Sequence, residues 1–585
     1  RVTLSIEIRK ALFMTLDAAM LDEIISRYEG RQRDALLPAL WDVQTAFGYI
    51  SSEAARRISV ALRVPVADIY GVISFYSLFS EHPQGETVFH VCTSPSCGIA
   101  GADDLIRDVS GKLGIEPGQT TPDGRYTVRR TTCLGLCDHA PAVLVSQRGV
   151  GERSYAPVHD ADDLLSHSHK PRQTTIEGNK EIFFLGTQPH RIQTLEEGGD
   201  YSALRKALES MTPDDVIELV EASGLVGRGG AAFPTGRKWR FTRAAPAQPH
   251  YVVCNADESE PGTFKDRALM EARPHLLLEG IALCAYAIGA EQCYLFIRGE
   301  YPEATAILQQ AIDEAEARGV LGEQIMGYPF TCRIEIRRGA GAYICGEETA
   351  LFEAIEGKRG FPRMKPPYPT THGLFFKPTV VNNVETLCAV PSMILHGAEW
   401  HRQWGSQHST GTKLVSVSGH VNRPGVYEIP FGITLRELLE KYCQGVQGTL
   451  QTVLKGGAAG TFLLPNEIDV PITFEDLRSI GATLGSGAVM VFNDTVDLRD
   501  VLRRLGQFFE HESCGKCYPC QLGTQRQMEI LDRIDSPLPG DRQRLRDIGH
   551  TMSVASLCGL GQTAAMAVLS AMDKWPELFE AAGPG

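Results

Sequence analysis

Eight of the 15 cysteines in this 585-residue chain fall into two groups, and the members of each group lie close together along the chain. In the C-terminal group, the spacing C-x2-C-x2-C places three thiolates on one tight loop, near enough to hold three corners of a cubane cluster. A fourth ligand must come from another segment. Structural zinc sites more often use two paired hooks than three cysteines and a distant fourth. The group therefore favours a 4Fe-4S cluster over zinc, with the ligands Cys514, Cys517, Cys520 and the glycine-flanked Cys558.

The N-terminal group consists of two short hooks, each placed after a strand-like run. Their spacing is C-x4-C and C-x3-C, and the four cysteines are Cys92, Cys97, Cys133 and Cys137. This spacing matches neither a zinc ribbon nor a plant-type ferredoxin, so the pattern alone supports a 2Fe-2S cluster without deciding for it. The odd total of 15 fits ligands and free thiols better than paired disulfides. The remaining cysteines stand singly in apolar contexts and are interpreted as core residues: Cys254, Cys284, Cys293, Cys332, Cys345, Cys388 and Cys443.

The bulk composition is that of an ordinary globular protein. Hydrophobic residues make up 43% of the chain and charged residues 22%, with a mean hydropathy of -0.12. The net charge of -14 offers no electrostatic footprint for nucleic acid or an anionic membrane. Apolar runs such as 281–288 are far shorter than the roughly 20 residues that span a bilayer, and no secretory leader pattern follows Arg1. We therefore expect a cytoplasmic protein with no nucleic acid partner and no direct membrane insertion.

The length exceeds what one hydrophobic core supports and predicts about three to five domains in an α/β multidomain fold. Strands and helices alternate over 196–410, which indicates βαβ units and a largely parallel, doubly wound sheet. The predicted units are an N-terminal helical cap (1–80), an α/β domain with the first cysteine group (81–150), a polar linker (151–195), the doubly wound domain (196–410), a β-rich domain (411–500) and a C-terminal helical bundle (501–585).

Three polar loops in the 196–410 domain have the composition of a ligand-binding crevice. The glycine-rich loop 224–238 lets backbone amides approach an anion, and Arg228 and Lys238 can neutralise phosphate charge. The loops 255–262 and 339–349 each follow a strand-like run and combine carboxylates with glycines. Two such loops at one sheet edge argue against a merely solvated surface. Their carboxylates and amides can bind ribose or ribityl hydroxyls and a flavin ring.

Together these motifs resemble the NADH-binding flavoprotein subunit of respiratory complex I and its relatives. Residues 30–146 look like the thioredoxin-like 2Fe-2S subunit of the same complex, so two subunits that are usually separate are fused here. Residues 412–500 look like the family's ubiquitin-like β-grasp insert. The motifs that carry the resemblance are GRGGAAFPTG (227–236), NADESEPGTFKDR (255–267), RGAGAYICGEE (338–348), KPPYP (365–369), NNVET (382–386) and ESCGKCYPC (512–520).

The resemblance implies a thioredoxin-like ferredoxin domain, a Rossmann-like FMN/NADH domain, a β-grasp domain and a helical 4Fe-4S domain. It assigns a 2Fe-2S cluster to the N-terminal cysteines and a 4Fe-4S cluster to the C-terminal cysteines. The implied FMN contacts are Gly227, Arg228, Gly229, Lys238, Asn255, Asp257, Glu258, Tyr343, Gly346, Glu347, Asn382 and Asn383. The implied NAD(H) contacts are Phe233, Lys238, Phe241, Glu260, Glu348 and Lys365.

The implied activity is that of an NAD(H)-dependent flavin iron-sulfur oxidoreductase subunit, a diaphorase module. Hydride passes between NAD(H) and FMN, a step that needs positioning more than an acid or base, so no catalytic side chain is expected. Single electrons then pass through the 4Fe-4S cluster to or from a partner, while the 2Fe-2S cluster serves as a side reservoir.

The resemblance is greatest to the β subunit of NAD-dependent molybdenum or tungsten formate dehydrogenases. Fused hydrogenase diaphorase subunits often lack the N-terminal cysteine set, whereas this chain keeps it, with the similar run CLGLCDHAPAV at 133–143. The implied partner is a large catalytic subunit that carries further iron-sulfur clusters and oxidises formate. A diaphorase subunit of NAD-reducing hydrogenase and an NADH dehydrogenase subunit of complex I remain alternatives. A zinc-stabilised, non-enzymatic scaffold is a remote alternative.

Overall fold

The N-terminal helices form a cap on the largest α/β domain. The computed structural model describes residues 18–166, 172–185, 192, 194–197 and 200–580. Ser51 accepts a hydrogen bond from the Ala54 N–H and so caps one of these helices. The Trp41 indole donates to the Gly339 carbonyl, which joins the cap to a loop of the 196–410 domain. The helices of the cap are 18–26, Leu36–Phe47, Ser52–Leu62 and Val66–Ile73.

The first sheet carries the N-terminal cysteine group. Its strands are β1 (Thr87–Cys92), β2 (Tyr126–Thr131), β3 (Val143–Gln147) and β4 (Gly151–Tyr155). They are arranged in the order β2-β1-β3-β4, with β1 and β2 parallel and the other neighbours antiparallel. The accompanying helices are Pro95–Ile99, Ala102–Leu113 and Ala161–Leu165.

A short strand, β5 (Ile176–Gly178), precedes the largest domain, which is built on a parallel sheet. The strands of that sheet are β6 (His250–Ala256), β7 (Ala290–Ile297), β8 (Arg333–Arg338) and β9 (Thr379–Asn383), in the order β8-β7-β6-β9. Val253 of β6 enters one hydrophobic core, whereas Val252 and Cys254 enter another. Both faces of the sheet are therefore covered, as expected for a doubly wound domain.

The helices of this domain lie around the parallel sheet. They are Ser202–Ser210, Pro213–Ala222, Thr235–Arg243, Lys265–Ala272, Pro274–Ile288, Pro302–Ala317, Glu348–Ile355, Pro369–His372, Val384–Cys388, Val390–His396 and Ala398–Arg402.

The β-rich domain has a mixed sheet wrapped around its own core. Its strands are β10 (Thr412–Gly419), β11 (Gly425–Pro430), β12 (Leu450–Lys455), β13 (Thr461–Leu463) and β14 (Ala488–Asn493). The order is β13-β12-β14-β10-β11-β5, so β5 completes the sheet beside β11. Val415, Leu438 and Val489 meet in the core, where helical residues pack on the sheet in the manner of a β-grasp fold. The helical segments are Leu435–Glu437, Leu438–Tyr442 and Phe474–Ser479.

The C-terminal domain is helical, as expected. Asp497 caps its first helix by accepting a hydrogen bond from the Arg499 N–H. The helices are Leu498–Glu512, Tyr518–Asp532, Asp541–Ala555, Gly559–Thr563 and Met566–Lys574. Across the part of the chain that the structure describes, no helix combines the length and the apolar character needed to cross a membrane.

The linker predicted for 151–195 is too long and needs correction. Strand β4 pairs with β3 along its whole length, and Ala161 and Leu164 enter the core of the first sheet. Strand β5 pairs in parallel with β11. Composition missed both strands because edge strands keep one side exposed and can therefore be polar. The segment between the helix Ala161–Leu165 and β5 is shorter than the predicted linker, and only part of it lies within the described residues.

Candidate functional site

The four parallel strands end at one edge of their sheet, and the predicted polar loops meet there. β6 is followed by the loop 257–264 and β8 by a loop that contains the turn Tyr343–Gly346. The Asn255 amide donates to the Gly346 carbonyl at 2.9 Å, which joins these two loops. The ammonium of Lys238 donates to the Val381 carbonyl of β9 at 2.9 Å. The edge thus has the form of a ligand crevice at the carboxyl ends of parallel strands.

The glycine-rich loop offers unused backbone donors to this crevice. The loop is closed where the Gly227 N–H donates to the Phe233 carbonyl at 2.9 Å. Within the described residues, the N–H groups of Gly229, Gly230 and Ala231 donate to no acceptor, and all three residues are exposed. Gly230 has φ +125°, a conformation that side chains disfavour. Adjacent free amides of this kind form a nest for an anion, so the loop fits the phosphate of FMN.

Arg228 does not offer its guanidinium to that anion. The side chain is 2% exposed, and its Nη2 donates to the Thr410 carbonyl at 2.7 Å. The guanidinium carbon lies 4.8 Å from the centroid of the Phe431 ring, in the β-grasp domain. Burial lowers the pKa of Arg228 to about 10. Burial of the guanidinium against the β-grasp domain argues against the phosphate role predicted for this side chain.

A chain of charged groups crosses the crevice. The ammonium of Lys365 lies 2.7 Å from a Glu348 carboxylate oxygen and 2.9 Å from one of Glu347. Glu348 also faces Lys238 at 3.9 Å. Burial alone would raise the pKa of Glu348, but Lys238 and Lys365 hold it below its usual value. The Glu347 carboxylate accepts from the N–H groups of Thr349 and Ala350, so it also caps the following helix.

Glu260 stands where three segments meet. One carboxylate oxygen accepts the hydroxyl of Tyr343, and the other accepts the Ala459 N–H at 2.8 Å. Ala459 belongs to the turn between β12 and β13, so the β-grasp domain closes one side of the crevice. Burial raises the pKa of Glu260, and the two hydrogen bonds oppose this rise. The carboxylate is held in place before any ligand binds.

Three other predicted side chains are already engaged within the protein. The Glu258 carboxylate accepts the N–H groups of Asp266 and Arg267 at 2.7 and 2.9 Å and caps their helix. Burial raises the pKa of Glu258 to about 7. Asn382 accepts the indole N–H of Trp239 at 2.8 Å. Asn383, which lies against Gly229, donates to Asp266 at 2.6 Å.

Asp257 lies in the same crevice, at the end of β6. A Cβ atom added at Gly346 would lie 3.5 Å from the Asp257 carboxylate. The Ser259 hydroxyl donates a hydrogen bond to the same carboxylate at 3.4 Å. Burial raises the pKa of Asp257 well above its usual value. The predicted aromatic contacts are also accessible, because Phe233 and Phe241 are 41% and 47% exposed.

The four C-terminal cysteines surround one cavity. It is lined by Cys514, Cys517, Cys520, Cys558 and also Ile344. The four thiols are free. Burial raises the pKa of Cys520 to about 11 and that of Cys558 to about 12. Four free thiols around a single space fit a cubane cluster, which holds each thiolate on its own iron.

This cysteine cavity adjoins the crevice. Ile344, which lines it, belongs to the turn Tyr343–Gly346. The Tyr343 ring lies 5.0 Å from the Phe508 ring on the first C-terminal helix. The Tyr343 N–H donates to the Glu512 carboxylate at 2.9 Å.

The N-terminal cysteines form a second, fully buried group. Cys133 and Cys137 have their sulfurs 3.5 Å apart, and Cys92 lies beside Cys97 and Cys133. The Gly135 N–H donates to the Cys133 sulfur at 3.3 Å. Four adjacent thiols with a backbone donor directed at sulfur fit a 2Fe-2S cluster. The seven remaining cysteines are all buried, which confirms their interpretation as core residues.

Three buried residues without a predicted role connect these sites. Arg267 and Arg298 reach the loop between Cys133 and Cys137, and Glu512 joins Thr132 to Tyr343. Arg267 and Glu512 stand inside two of the motifs that carry the resemblance. Arg298 directly follows β7, at the same sheet edge as the crevice. Its position directly after a parallel strand is the sequence feature that could have identified Arg298.

Family models match most of the chain in consecutive segments. The thioredoxin-like [2Fe-2S] ferredoxin model matches residues 21–161, and the Nuo51 FMN-binding domain matches residues 220–392. The SLBB domain matches residues 414–443, inside the β-grasp domain. The iron-sulfur binding region of NADH-ubiquinone oxidoreductase-F matches residues 500–582.

Curated relatives and solved structures agree with this assignment. The F 2 subunit of NADH-quinone oxidoreductase from Rhizobium meliloti is 47% identical over 67% of this chain and 94% of its own length. The alpha subunit of the NAD-reducing hydrogenase HoxS of Cupriavidus necator is 34% identical over 95% and 93%. A crystal structure of NAD+-reducing [NiFe]-hydrogenase in the air-oxidized state matches with a TM-score of 0.83 and 34% identity, covering 94% of each chain. The chain therefore belongs to the family of NAD(H)-dependent flavin iron-sulfur oxidoreductase subunits, with FMN, 2Fe-2S and 4Fe-4S as their cofactors.

Proposed function

We propose that this chain is the NAD(H)-reactive subunit of a larger enzyme and moves electrons between NAD(H) and a separate catalytic subunit. The chemistry that bound FMN supplies is the exchange of a hydride with NAD(H) for single electrons with the iron-sulfur clusters. The observation that carries the proposal is the turn Tyr343–Gly346, which touches both the crevice and the cavity of the four C-terminal cysteines. One short segment thus separates the two sites.

In this proposal the crevice residues bind and orient the two ligands. The free amides of Gly229, Gly230 and Ala231 hold the FMN phosphate, assisted by Lys238. The charge of the Lys238 ammonium is only partly neutralised within the described residues, because the Glu348 carboxylate that faces it lies 3.9 Å away. The remaining FMN contacts are Gly227, the main chain of Arg228, Asn255, Asp257, Glu258, Tyr343, Gly346, Glu347, Asn382 and Asn383.

The proposed NAD(H) contacts combine exposed aromatic rings with charged groups that are held in place. Phe233 and Phe241 are exposed aromatic surfaces on which a base can stack, and Glu260 is fixed by Tyr343 and Ala459. Glu348 and Lys365 complete the set. Since hydride transfer depends on how the two rings are stacked, these residues act by positioning.

The basic activity can be tested on the chain alone. Protein loaded with FMN and iron should oxidise NADH with ferricyanide as acceptor, because this reaction needs only the crevice. An absorption spectrum with flavin and iron-sulfur bands would also separate this proposal from a zinc-stabilised scaffold. Loaded protein without NADH oxidation would refute the proposal.

For the distal substrate we propose formate, with a molybdenum- or tungsten-containing catalytic subunit as partner. The supporting observation is the intact, buried set of four N-terminal thiols, because fused subunits of hydrogenases often lack that set. Hydrogen is the second candidate, favoured by the similarity over nearly the full length to the HoxS alpha subunit. The purified native complex should reduce NAD with formate and not with hydrogen. The opposite result would assign the chain to a hydrogenase.

A further inference from the structure

The loop between Cys133 and Cys137 is held by side chains of the parallel-sheet domain. Nη2 of Arg298 donates to the Cys133 carbonyl, while Nη1 donates to the Glu258 carbonyl at 2.8 Å. The Arg298 side chain is 2% exposed and pairs with Glu300 at 2.9 Å. One guanidinium thus joins the N-terminal cysteine loop to the crevice loop that follows β6.

A second arginine holds the same loop farther along. Nε of Arg267 donates to the Gly135 carbonyl at 2.9 Å, and Nη2 binds the Asp138 carboxylate at 2.9 Å. The Arg267 side chain is 1% exposed and also pairs with Glu271 at 3.0 Å. Between them, the two arginines contact the first cysteine of this hook, its central glycine and the residue after its second cysteine.

Tyr301, from the same domain, completes the enclosure. A side chain at Gly135 would come within 2.1 Å of the Tyr301 hydroxyl, so the parallel-sheet domain lies directly against the loop. The Tyr301 hydroxyl itself donates to Glu258 at 3.1 Å.

These contacts differ from those of an ordinary domain interface in the groups that the arginines bind. Ion pairs at an interface join side chains, whereas here both guanidinium groups donate to carbonyls within the ligand loop itself. Groups just outside a metal site orient its ligands and tune its reduction potential through charge and hydrogen bonding. A buried cation acts strongly because little solvent screens it.

We propose that Arg298 and Arg267 are positioning residues of the 2Fe-2S cluster: they hold the Cys133–Cys137 loop from the parallel-sheet domain and raise the reduction potential of the cluster. Reduction adds negative charge to the cluster, so a nearby cation favours the reduced form. Loss of either arginine also leaves a buried carboxylate, Glu300 or Asp138, with less countercharge. Both effects lower the potential.

The test is a redox titration of the purified full chain, followed by electron paramagnetic resonance. Arg298→Gln removes the charge and should change the ratio of oxidised to reduced 2Fe-2S cluster at least tenfold, which corresponds to a fall of about 59 mV for one electron. Arg298→Lys keeps the charge but cannot span two carbonyls, so its shift should be smaller. Arg267→Gln should lower the potential in the same direction.

The 4Fe-4S signal of each variant is the internal reference and should titrate as in the wild type. Arg337→Gln is the matched control, because Arg337 is 4% exposed in the same domain but pairs with Asp34 and Glu335. Selective loss of the 2Fe-2S signal, with FMN and the 4Fe-4S signal retained, would support the holding role. If Arg298→Gln loses every cofactor, the 2Fe-2S potentials of Arg298→Lys and Arg267→Gln decide. A lower potential in Arg267→Gln, with a smaller shift in Arg298→Lys, supports the inference, and unchanged potentials in both overturn it.

An unchanged 2Fe-2S potential in the folded Arg298 and Arg267 variants would overturn the inference, and so would a shift of equal size in Arg337→Gln. The inference rests on the 2Fe-2S cofactor and not on the identity of the partner. NADH oxidation is measured separately with ferricyanide. A chain that fails that assay but shows the predicted shifts would refute the proposed function and leave this inference standing.

Discussion

At the scale of single residues, Glu260 shows how a carboxylate is prepared for a ligand. Glu260 accepts hydrogen bonds from the Tyr343 hydroxyl and the Ala459 N–H, so two other segments of the chain fix its position. Glu260→Gln should keep the fold, because the amide oxygen still accepts a hydrogen bond, but it removes the charge and one acceptor. We expect kcat/KM for NADH to fall about tenfold or more, since a hydrogen bond to a charged group contributes roughly 1.5–3 kcal/mol.

FMN content should stay near that of the wild type in this variant. Steady-state kinetics and the flavin-to-protein ratio measured on one preparation give both values. Equal losses of FMN and of NADH turnover would point to a folding role for Glu260.

Lys455 is a buried lysine that forms no ion pair with any residue that the structure describes. Among the described residues its ammonium donates only to the Leu484 carbonyl, at 3.2 Å. Burial, with a smaller contribution from Lys413, lowers the pKa of Lys455 from 10.5 to about 7. Between these pH values the unfolded chain binds more protons than the folded one, so the contribution of Lys455 to stability rises with pH.

Lys455→Met should therefore unfold at a higher temperature than the wild type below about pH 7. The difference is on the order of 5 kcal/mol, and it should shrink as the pH is raised toward about 10. Scanning calorimetry at several pH values measures it, with the exposed Lys441→Met as control. An advantage that does not depend on pH would show that packing, and not charge, is responsible.

At the scale of structural elements, the two cysteine loops have different surroundings. The C-terminal loop lies between helices and next to the turn Tyr343–Gly346, whereas the N-terminal loop lies under Arg267 and Arg298. Cys517→Ala should abolish electron transfer to the partner, while rapid-mixing measurements still show reduction of FMN by NADH. This follows because the 4Fe-4S site is proposed to lie on the path to the partner.

The matching change in the other loop is Cys97→Ala. It should remove the 2Fe-2S signal from electron paramagnetic resonance and leave substantial overall turnover. Loss of turnover with FMN and the 4Fe-4S cluster intact would contradict the reservoir role and make the N-terminal cluster an exit to a second partner.

At the scale of the whole molecule, Glu512 joins three units. Its carboxylate accepts the Thr132 hydroxyl at 3.0 Å and the Tyr343 N–H at 2.9 Å, and Glu512 itself lies in the C-terminal domain. Glu512→Ala leaves the Tyr343 N–H without an acceptor, at a cost of about 1–3 kcal/mol. We expect faster hydrogen exchange at the turn Tyr343–Gly346 and slower transfer from FMN to the 4Fe-4S cluster.

The exposed Glu529→Ala, in the same domain, is the control and should change neither quantity. Unaltered exchange in Glu512→Ala would mean that the packing of Tyr343 on Phe508 holds the turn without the carboxylate.

Much of this architecture could be predicted from local patterns. The alternation of strands and helices predicts the parallel sheet, and cysteine spacing with family resemblance predicts both cluster sites. The polar strands β4 and β5 were missed, because a linker and an edge strand have similar compositions. Two crevice loops were identified because each directly follows a strand, and the third because it is rich in glycine. Which side chains in those loops remain free for a ligand could not be predicted.

The sequence by itself determined the cofactor classes and the order of the domains: cysteine spacing favoured the 4Fe-4S cluster, periodicity gave the domain order, and family resemblance implied FMN and the 2Fe-2S cluster. Only the tertiary structure decided that Arg228 faces Phe431, that Glu258 caps a helix and that Arg298 binds the Cys133 carbonyl. The last contact joins residues 165 positions apart, and the one between Thr132 and Glu512 joins residues 380 apart. Such partners are fixed by how the domains pack, because a buried charge must find its counterpart wherever the fold brings one.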